Sequence, residues 1–444
     1  MATHKERGFF ELYRDDPERA DALVFGRRTD ATRRGFLKGA GLAGMGAMLG
    51  SAIPFSANMP AGLIPAALAQ GTPADKGPKM LKMDGKAELV LLGDKPLVAE
   101  TPEHMLDDDV TPTEKMYIRN NGGIPDTPAK PGSWEIAVDG EVNNPLKLTV
   151  AELKNRFPNV TLQLQLECGG NGRSQYVPEA RGNQWTNGGV GCPQWTGVRL
   201  KDLLAAAQPK SSAVYTGHFG ADPHLSGDAT KVTLSRGVRL EKAMEEHTIV
   251  AFAMNGAPLS NVHGFPVRLV VPGWAGSVSH KWLTRIWVRD KEHDGQGMAG
   301  TSYRTPIQPM VPGGKHDDKN MRILESMPVR SVITNVKNGT ELPAGTRDVK
   351  LRGKAWAGDK TVRAVDVSID YGQTWQKTEV TAPANRFAWQ KWETAVKLPS
   401  AGYYEIWARA TDQDGRMQPH VAANWNPQGY GGNAFHRVAV LVQS

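Results

Sequence analysis

The sequence predicts an α+β domain followed by a β-sandwich of immunoglobulin type. Its 444 residues, of which 40% are hydrophobic and 22% are charged, are enough for two domains with sizeable cores. The 48 glycines and 30 prolines favour loops and β-structure over long helices. The sequence pattern changes near Pro328, from mixed strand-like and helix-like segments to strand-like segments alone. We take this residue as the boundary between the two domains.

The first domain is predicted to span residues 113–327, after an N-terminal extension of residues 70–112 that is rich in Pro, Gly and Asp. Strand-like and helix-like segments alternate within it: Trp134–Val138, Val150–Arg156, Leu200–Ala207 and Pro266–Val271. Irregular Gly-rich loops separate these segments, so the regular strand–helix repeat of an α/β fold is missing. The pattern therefore favours an α+β domain.

The second domain, residues 328–444, contains strand-like segments and little else. Five of them stand out: Val349–Ala355, Val362–Asp370, Arg386–Thr394, Tyr403–Thr411 and Ala434–Val442. Turn sequences such as Asp370–Gly372 and Asp412–Gly415 lie between several of these segments. Short strands at this spacing are typical of a small immunoglobulin-like sandwich.

Residues 1–69 have the pattern of an export signal. Thr32–Lys38 contains paired arginines, a mildly apolar Gly/Ala-rich stretch follows from about Gly39 to Ile64, and Ala67–Ala69 has the small residues that signal peptidase cleaves. A membrane anchor is the alternative, but Pro, Gly and Asn58 interrupt the stretch, so we expect no stable anchor. The twin-arginine route carries folded proteins, commonly with a cofactor inserted, and predicts a periplasmic location.

Charge and cysteine content exclude several classes of protein. The net charge is +7, but basic residues are interleaved with acidic ones instead of forming one face, which argues against nucleic-acid binding. A small anionic substrate or an acidic partner fits this distribution better. The only cysteines are Cys168 and Cys192, so covalent c-type haem and iron–sulfur clusters are excluded, and a disulfide scaffold is not expected at this size.

The segment Leu164–Ser174 is the most informative part of the chain. A strand-like run ends at Cys168, and a glycine-rich turn follows that lets the backbone approach a bulky group, with Arg173 bringing a positive charge. From the residues alone, Cys168 could be a metal ligand or nucleophile, a buried free thiol, or half of a disulfide with Cys192. Cys192 is expected to be packed and inert.

The Cys168 loop resembles the molybdenum-binding loop of the sulfite oxidase family. Segments in the same order as in that family follow it: Gln194–Leu200, Asn255–Leu259, His263–Arg268, Val271–Trp274, Lys281–Leu283, Ser368–Trp375, Trp425–Pro427 and Asn433–Val438. The last three resemble the dimerisation module of the family. The resemblance covers essentially the whole mature chain, and the haem-free exported bacterial sulfite dehydrogenases are the most similar members.

This resemblance implies a molybdenum–molybdopterin cofactor, with Cys168 as the protein's thiolate ligand to the metal. It implies that Arg119 and Arg173 bind the substrate anion and that Tyr303 hydrogen-bonds at the metal. The cofactor-binding residues it implies are Asn120, Asn121, His263, Arg268 and Lys281. Without the resemblance, the ordinary alternatives are surface salt bridges for the arginines, a packed loop aromatic for the tyrosine and a structural turn residue for the histidine.

Two residues depart from the pattern of the family. Asn121 stands where vertebrate relatives carry histidine, and Gln428 replaces an arginine that helps to bind the anion in those enzymes. The lost charge leaves room for a larger or neutral sulfur substrate without affecting the molybdenum assignment.

The function expected from the resemblance is the two-electron oxidation of sulfite to sulfate at an oxo-molybdenum centre. The chain carries no haem motif, so electrons are expected to pass to a separate c-type cytochrome, and the enzyme is expected to be a homodimer. The alternatives are the molybdenum subunit of a sulfane dehydrogenase, which acts on carrier-bound sulfur, and a non-enzymatic periplasmic anion-binding protein. A molybdenum sulfoxide reductase is disfavoured because its relatives usually lack the C-terminal sandwich.

Overall fold

The structure is a computed structural model, and it describes residues 14–16, 19–20 and 77–444. The predicted export motif Thr32–Lys38 and the cleavage pattern Ala67–Ala69 lie outside these residues. Within the described part of the chain, no helix has both the length and the apolar character needed to span a membrane.

The N-terminal extension forms a small sheet that packs onto the first domain. The sheet has three antiparallel strands: Val90–Asp94 and Leu97–Glu100 come from the extension, and Ile118–Arg119 comes from the start of the first domain. The buried side chains beneath it include Leu89 and Ala99 from the extension and Val262 from the first domain. Since Arg119 ends the third strand, this sheet also sets the position of a predicted anion-binding residue.

Two five-stranded sheets make up most of the first domain. The first has the strand order Ser235–Arg239, Tyr215–Gly220, Leu283–Arg289, Glu135–Gly140 and Leu146–Thr149. The second has Ala257–Pro258, Ile249–Met254, Gln194–Arg199 and Asn159–Gln163 in order, with Arg268–Val270 also paired to Ile249–Met254. Two-stranded pairs complete the domain: Leu166–Glu167 with Val190–Gly191, and Arg304–Pro306 with Met321–Ile323.

The helices of the described residues are few and short. The α-helices are Val150–Arg156, Leu200–Ala207 and Leu240–Ala243, of which the first two match the prediction. Thr149 and Glu152 form a capping box at the start of the first, which satisfies backbone donors that the helix leaves free. Single 3₁₀ turns lie at Glu103–Met105, Thr113–Lys115, Pro131–Ser133, Arg173–Gln175, Asn261–His263, Gly276–Val278 and Asp318–Asn320. The domain therefore has more sheet and less helix than a typical α+β fold.

The second domain consists of two sheets that enclose a common core. One has the order Arg330–Ile333, Asp348–Trp356, Gln390–Lys397 and Glu379–Val380. The other has the order Thr340–Leu342, His436–Val442, Gly402–Asp412, Val362–Ser368 and Gln376–Lys377. Buried side chains of both sheets, such as Leu351 and Trp392 facing Val365 and Ile406, belong to one cluster. This is a β-sandwich; its immunoglobulin-type topology stays a prediction.

One predicted strand of the sandwich was placed too early. The segment Arg386–Thr394 was expected to be extended, but the strand begins at Gln390. The Asn385 side chain accepts from the Phe387 backbone N–H at 2.9 Å and holds a turn there instead. This turn places the buried Phe387 against the first domain, since its ring belongs to the same cluster as Trp195.

A buried ion pair joins the two domains next to the predicted metal ligand. Arg330, on the first strand of the sandwich, lies 3.0 Å from the carboxylate of Glu167, and both side chains are almost fully buried. The same carboxylate accepts hydrogen bonds from the Trp356 indole at 2.7 Å and from the Asn171 amide at 3.0 Å. Since Glu167 directly precedes Cys168, the sandwich helps to hold the cysteine loop in place.

Candidate active site

The predicted site residues converge on one cavity in the first domain. Its empty volume is about 710 Å³, which includes space open to solvent. Nine site residues were predicted from the sequence, and seven of them line this cavity: Arg119, Asn121, Cys168, His263, Arg268, Lys281 and Tyr303. Residues that lie as much as 184 positions apart, Arg119 and Tyr303, therefore share one site.

Cys168 lies at the end of a short strand, where the chain turns into the glycine-rich loop. Its backbone N–H donates to the Gly189 carbonyl at 2.8 Å, and its side chain is 6% exposed, at the cavity wall. Burial raises the pKa of this thiol, while the positive charges of Arg119 and Arg173 act in the opposite direction. Such an environment favours the thiolate only when a further positive charge, such as a metal ion, is bound beside it.

Cys192 differs from Cys168 although both thiols are free. It is fully buried in an apolar cluster away from the cavity, and burial raises its pKa to about 12. The two cysteines are not joined in a disulfide. Cys192 thus has the surroundings of a packed thiol, in keeping with its predicted inert character.

A cluster of cationic and imidazole side chains forms another wall of the cavity. Arg268 is 4% exposed, and burial lowers its pKa to about 10. Burial, with Arg268 nearby, lowers the pKa of Lys281 well below its ordinary value. His263 is buried and neutral, because burial and the neighbouring lysines lower its pKa well below the ordinary range.

These cations are held by neutral groups. Arg268 donates to the backbone carbonyls of His263 at 3.1 Å and Ser279 at 3.0 Å. Lys281 donates to the Val262 carbonyl at 2.9 Å and to the side-chain oxygen of Asn120. Among the residues that the structure describes, neither cation has a carboxylate within ion-pair distance. Asp222 also lines the cavity and acts on Lys281 from beyond ion-pair distance. A positively charged wall without a direct ion pair suits an anionic ligand such as a phosphate-bearing cofactor.

Asn120 and Asn121 are adjacent in the chain but hydrogen-bond to different predicted site residues. Asn120 does not line the cavity; it is buried, accepts from Lys281, and its side-chain nitrogen has no hydrogen-bond partner. Asn121 lines the cavity and accepts a hydrogen bond from the Tyr303 hydroxyl at 3.1 Å. The amide nitrogen of Asn120 is thus a buried donor without a partner among the described residues, and it is sealed from the cavity.

Tyr303 reaches the cavity from a loop in the left-handed conformation, with φ of +49°. Its ring stacks on that of Tyr430 from the second domain, with centroids 5.0 Å apart and an interplanar angle of 16°. The Arg236 guanidinium lies 4.8 Å from the centroid of the Tyr303 ring. The side chain is thus a packed loop aromatic whose hydroxyl donates to Asn121 at the cavity. Its predicted hydrogen bond at the metal stays a prediction.

Arg173 lies outside the cavity lining, in contrast to Arg119. Its Nε donates to the Gln428 carbonyl at 2.6 Å, and its Nη1 donates to the Asn183 carbonyl at 2.7 Å. Its guanidinium is 5.3 Å from the centroid of the Tyr430 ring. Arg173 is therefore no surface salt bridge, and its predicted role in anion binding would act from behind the cavity wall.

Gln428, which was expected to stand where the family has an arginine, is also engaged within the protein. Its side-chain nitrogen donates to the Thr301 hydroxyl at 3.1 Å, and its backbone carbonyl accepts from Arg173. It contributes no charge to the site. Any anion-binding charge in this cavity must therefore come from other residues.

Several residues in or near the cavity were not predicted from the sequence, and four of them carry ionisable side chains that bear on the site. His280 and Asp222 line it, Arg236 lies behind Tyr303, and Lys86 donates to the ring of His263 at 3.0 Å. Only His280 had a signal, because it directly precedes Lys281 in a segment that carries the resemblance. Lys86 and Arg236 come from segments without any motif.

Comparisons with known proteins agree with this geometry. The family model described as the oxidoreductase molybdopterin binding domain matches residues 121–297, and the Mo-co oxidoreductase dimerisation domain matches residues 321–443. Sulfite oxidase from Gallus gallus is 32% identical over 77% of this chain and 76% of its own length. The chain belongs to the sulfite oxidase family of molybdenum enzymes.

Two further similarities describe the breadth of this family. The mitochondrial sulfite oxidase of Homo sapiens is 33% identical over 78% of this chain, which spans 65% of the human protein. Among solved structures, the sulfane dehydrogenase SoxCD from Paracoccus pantotrophus matches with a TM-score of 0.66 and 27% identity, over 83% of this chain and 92% of that one. The family's cofactor is thus assigned at the level of molybdenum and molybdopterin.

Proposed function

We propose that this protein oxidises sulfite to sulfate at a molybdenum–molybdopterin cofactor and passes the electrons to a separate c-type cytochrome. The observation that carries the proposal is the Cys168 thiol in a cavity where Arg268 and Lys281 have no carboxylate within ion-pair distance among the residues that the structure describes. A soft thiolate suits the metal, and the unpaired cations suit an anionic cofactor and an oxyanion substrate.

Each side chain has a task that its position supports. When bound, the cofactor supplies the two-electron redox chemistry. Cys168 would hold the metal, while Arg268 and Lys281 would bind the anionic part of the cofactor. Arg119, which lines the cavity, would hold the substrate oxyanion. Tyr303 would orient the oxyanion by turning towards it the hydroxyl proton that it donates to Asn121 in this structure.

The remaining parts of the proposal concern the setting of the enzyme. The predicted leader of residues 1–69 would direct the folded, cofactor-loaded protein to the periplasm. The match to a dimerisation domain supports a homodimer formed through the sandwich. A soluble cytochrome is expected as the acceptor because the chain has no motif for a haem of its own.

Metal analysis with an activity assay is the experiment to perform first. The mature protein, produced in a host that makes the cofactor, is expected to contain stoichiometric molybdenum and to reduce ferricyanide or cytochrome c with sulfite. Molybdenum without sulfite turnover would favour the sulfane dehydrogenase. Absence of molybdenum would overturn the proposal and favour a non-enzymatic anion-binding protein.

The two cysteines provide a matched pair of variants. Cys168→Ser is expected to keep the fold and to lower turnover more than roughly 100-fold, because it removes a ligand of the metal. Cys192→Ser changes a thiol that does not reach the cavity and is expected to retain turnover. Substantial activity of the Cys168 variant with molybdenum bound would refute the ligand role.

A second candidate is the molybdenum subunit of a sulfane dehydrogenase. Two observations favour it: the match to the sulfane dehydrogenase over most of both chains, and the uncharged Gln428 in place of an arginine. Such an enzyme would accept sulfur bound to a carrier protein. Turnover with a persulfide on a carrier thiol, compared with free sulfite on the same preparation, distinguishes the two substrates.

A further inference from the structure

His280 lies in the cavity wall but has no role in the function proposed above. It lines the cavity between Ser279 and Lys281, and its side chain is 6% exposed. Its Nε2 accepts a hydrogen bond from the backbone N–H of Arg236 at 3.1 Å. The two ring nitrogens of His280 therefore differ: Nε2 accepts a hydrogen bond from the protein, whereas Nδ1 has no hydrogen-bond partner in the described part of the chain.

The hydrogen bond from Arg236 determines where the ring carries its proton. Burial, together with the neighbouring charges of Arg236 and Arg268, lowers the pKa of His280 to about 3, so the ring is neutral near pH 7. A neutral imidazole has one N–H, and an Nε2 that accepts cannot carry it. The proton is therefore on Nδ1, which makes Nδ1–H a fixed donor.

This donor has no partner within the described residues 77–444. No protein group hydrogen-bonds to Nδ1, and Nδ1 is not one of the polar atoms that are sealed from the cavity. A side chain that is more than nine-tenths buried would leave a donor unsatisfied only at a cost of roughly 1–3 kcal/mol. The Nδ1 atom therefore retains access to solvent, and the residue to which it belongs lines the cavity.

We infer that His280 is a further cofactor-binding residue, which donates its Nδ1–H to an acceptor atom of the molybdopterin cofactor beside Arg268 and Lys281. The inference rests on the proposed function, since it requires that cofactor. The Arg236 backbone acts as the positioning group, because it fixes both the orientation and the tautomer of the ring. The simpler alternative is that His280 serves only to satisfy the N–H of Arg236.

Two substitutions separate these roles because each keeps one end of the imidazole. Asn places an amide nitrogen near the position of Nδ1, so His280→Asn keeps a donor towards the cavity and loses the acceptor for Arg236. Gln extends to the position of Nε2, so His280→Gln keeps that acceptor and loses the donor. The variants are compared with the wild-type protein by molybdenum content, by the fluorescence of the extracted pterin and by loss of both during dilution.

The inference predicts that His280→Gln releases the cofactor roughly five- to ten-fold more readily than His280→Asn, in line with one lost hydrogen bond. Equal retention by the two variants, or better retention by His280→Gln, would overturn it. A wild-type protein without molybdenum would instead overturn the proposed function itself, which keeps the two failures apart.

If neither variant folds, the loaded wild-type protein decides the question. A crystal structure is expected to place Nδ1 of His280 within hydrogen-bond distance of an oxygen, nitrogen or sulfur atom of the cofactor. An Nδ1 that faces only water or protein atoms in that structure would overturn the inference.

Discussion

Two arginines of this protein, Arg330 and Arg268, are both buried but are stabilised in different ways. Arg330, at the junction of the domains, forms an ion pair with Glu167 and is fully enclosed. Arg268, in the cavity wall, contacts only carbonyl oxygens and the Trp195 ring, whose centroid lies 5.0 Å from its guanidinium. A buried cation that is paired within the protein holds structure together, whereas one without a counter-charge remains available to an anionic ligand.

The largest expected effect concerns the paired arginine. Arg330→Met would leave the Glu167 carboxylate buried without its partner and is expected to lower the free energy of unfolding by about 3–5 kcal/mol. Urea denaturation of the cofactor-free protein measures this change. The control is Arg352→Met, which removes a half-exposed ion pair with Asp107 and is expected to change the value by about 0–1 kcal/mol. Equal losses of stability in the two variants would show that the buried ion pair at the domain junction contributes no more than an exposed one.

The next effect separates the two arginines that were predicted to bind the substrate. Arg119→Met is expected to raise KM for sulfite roughly ten- to a hundred-fold, since a hydrogen bond to a charged group contributes about 1.5–3 kcal/mol. Arg173→Met is expected to raise KM less, because its Nε and Nη1 donate to backbone carbonyls. Steady-state kinetics with sulfite compares them, and a larger rise for Arg173 would reverse their order.

A pH-dependent effect is expected at Lys86, which contacts His263. Burial lowers its pKa from 10.5 to about 7, against the opposing charge of Glu114. Between these values the unfolded chain binds the extra proton, so the contribution of Lys86 to stability increases as the pH rises.

Denaturation of the wild type and Lys86→Met at several pH values measures this dependence. The difference in their free energies of unfolding is expected to shift by roughly 1–2 kcal/mol in favour of the wild type between about pH 7 and 9, after allowance for partial exposure to solvent. The exposed Lys82→Met serves as control, with no such trend expected. A difference that falls with pH would contradict the sign.

The smallest effect on stability is expected at the unpaired arginine. Arg268→Met removes three hydrogen bonds to carbonyls, of which that to Leu269 is long at 3.4 Å, but it also removes a desolvated charge. The free energy of unfolding of the cofactor-free protein should therefore change by no more than about 1.5 kcal/mol. The same variant is expected to lose molybdenum during purification. A loss of stability as large as that of Arg330→Met would show that Arg268 is mainly structural.

The parts of the fold that could be predicted are those with local signals. The helices Val150–Arg156 and Leu200–Ala207 begin and end as predicted. Apolar residues at helical spacing mark both helices, and a capping box marks the start of the first. The strand at Gln390 was placed four residues too early, since the Asn385 turn depends on contacts with the first domain. The four-residue helix Leu240–Ala243 is too short to carry a pattern.

In the candidate site, too, residues in local motifs could be predicted and residues placed by distant contacts could not. Cys168, Arg268 and Lys281 lie in recognisable segments, and the structure brings them to one cavity. The position of Arg173 could not be predicted, because it depends on the carbonyl of Gln428, which is 255 residues away in the chain. Lys86 was missed for the same reason, as its contact with His263 joins distant segments without motifs.

The ion pair between Glu167 and Arg330 makes each domain depend on the other, because each contributes one of the two buried charges. A chain that ended near residue 327 would retain Glu167 beside the metal-binding loop without the cation that neutralises it. The two halves are therefore not interchangeable modules, despite their separate cores. Heat should melt them in a single cooperative step, and exchange of the sandwich between relatives should succeed only where the donor carries an arginine at this position.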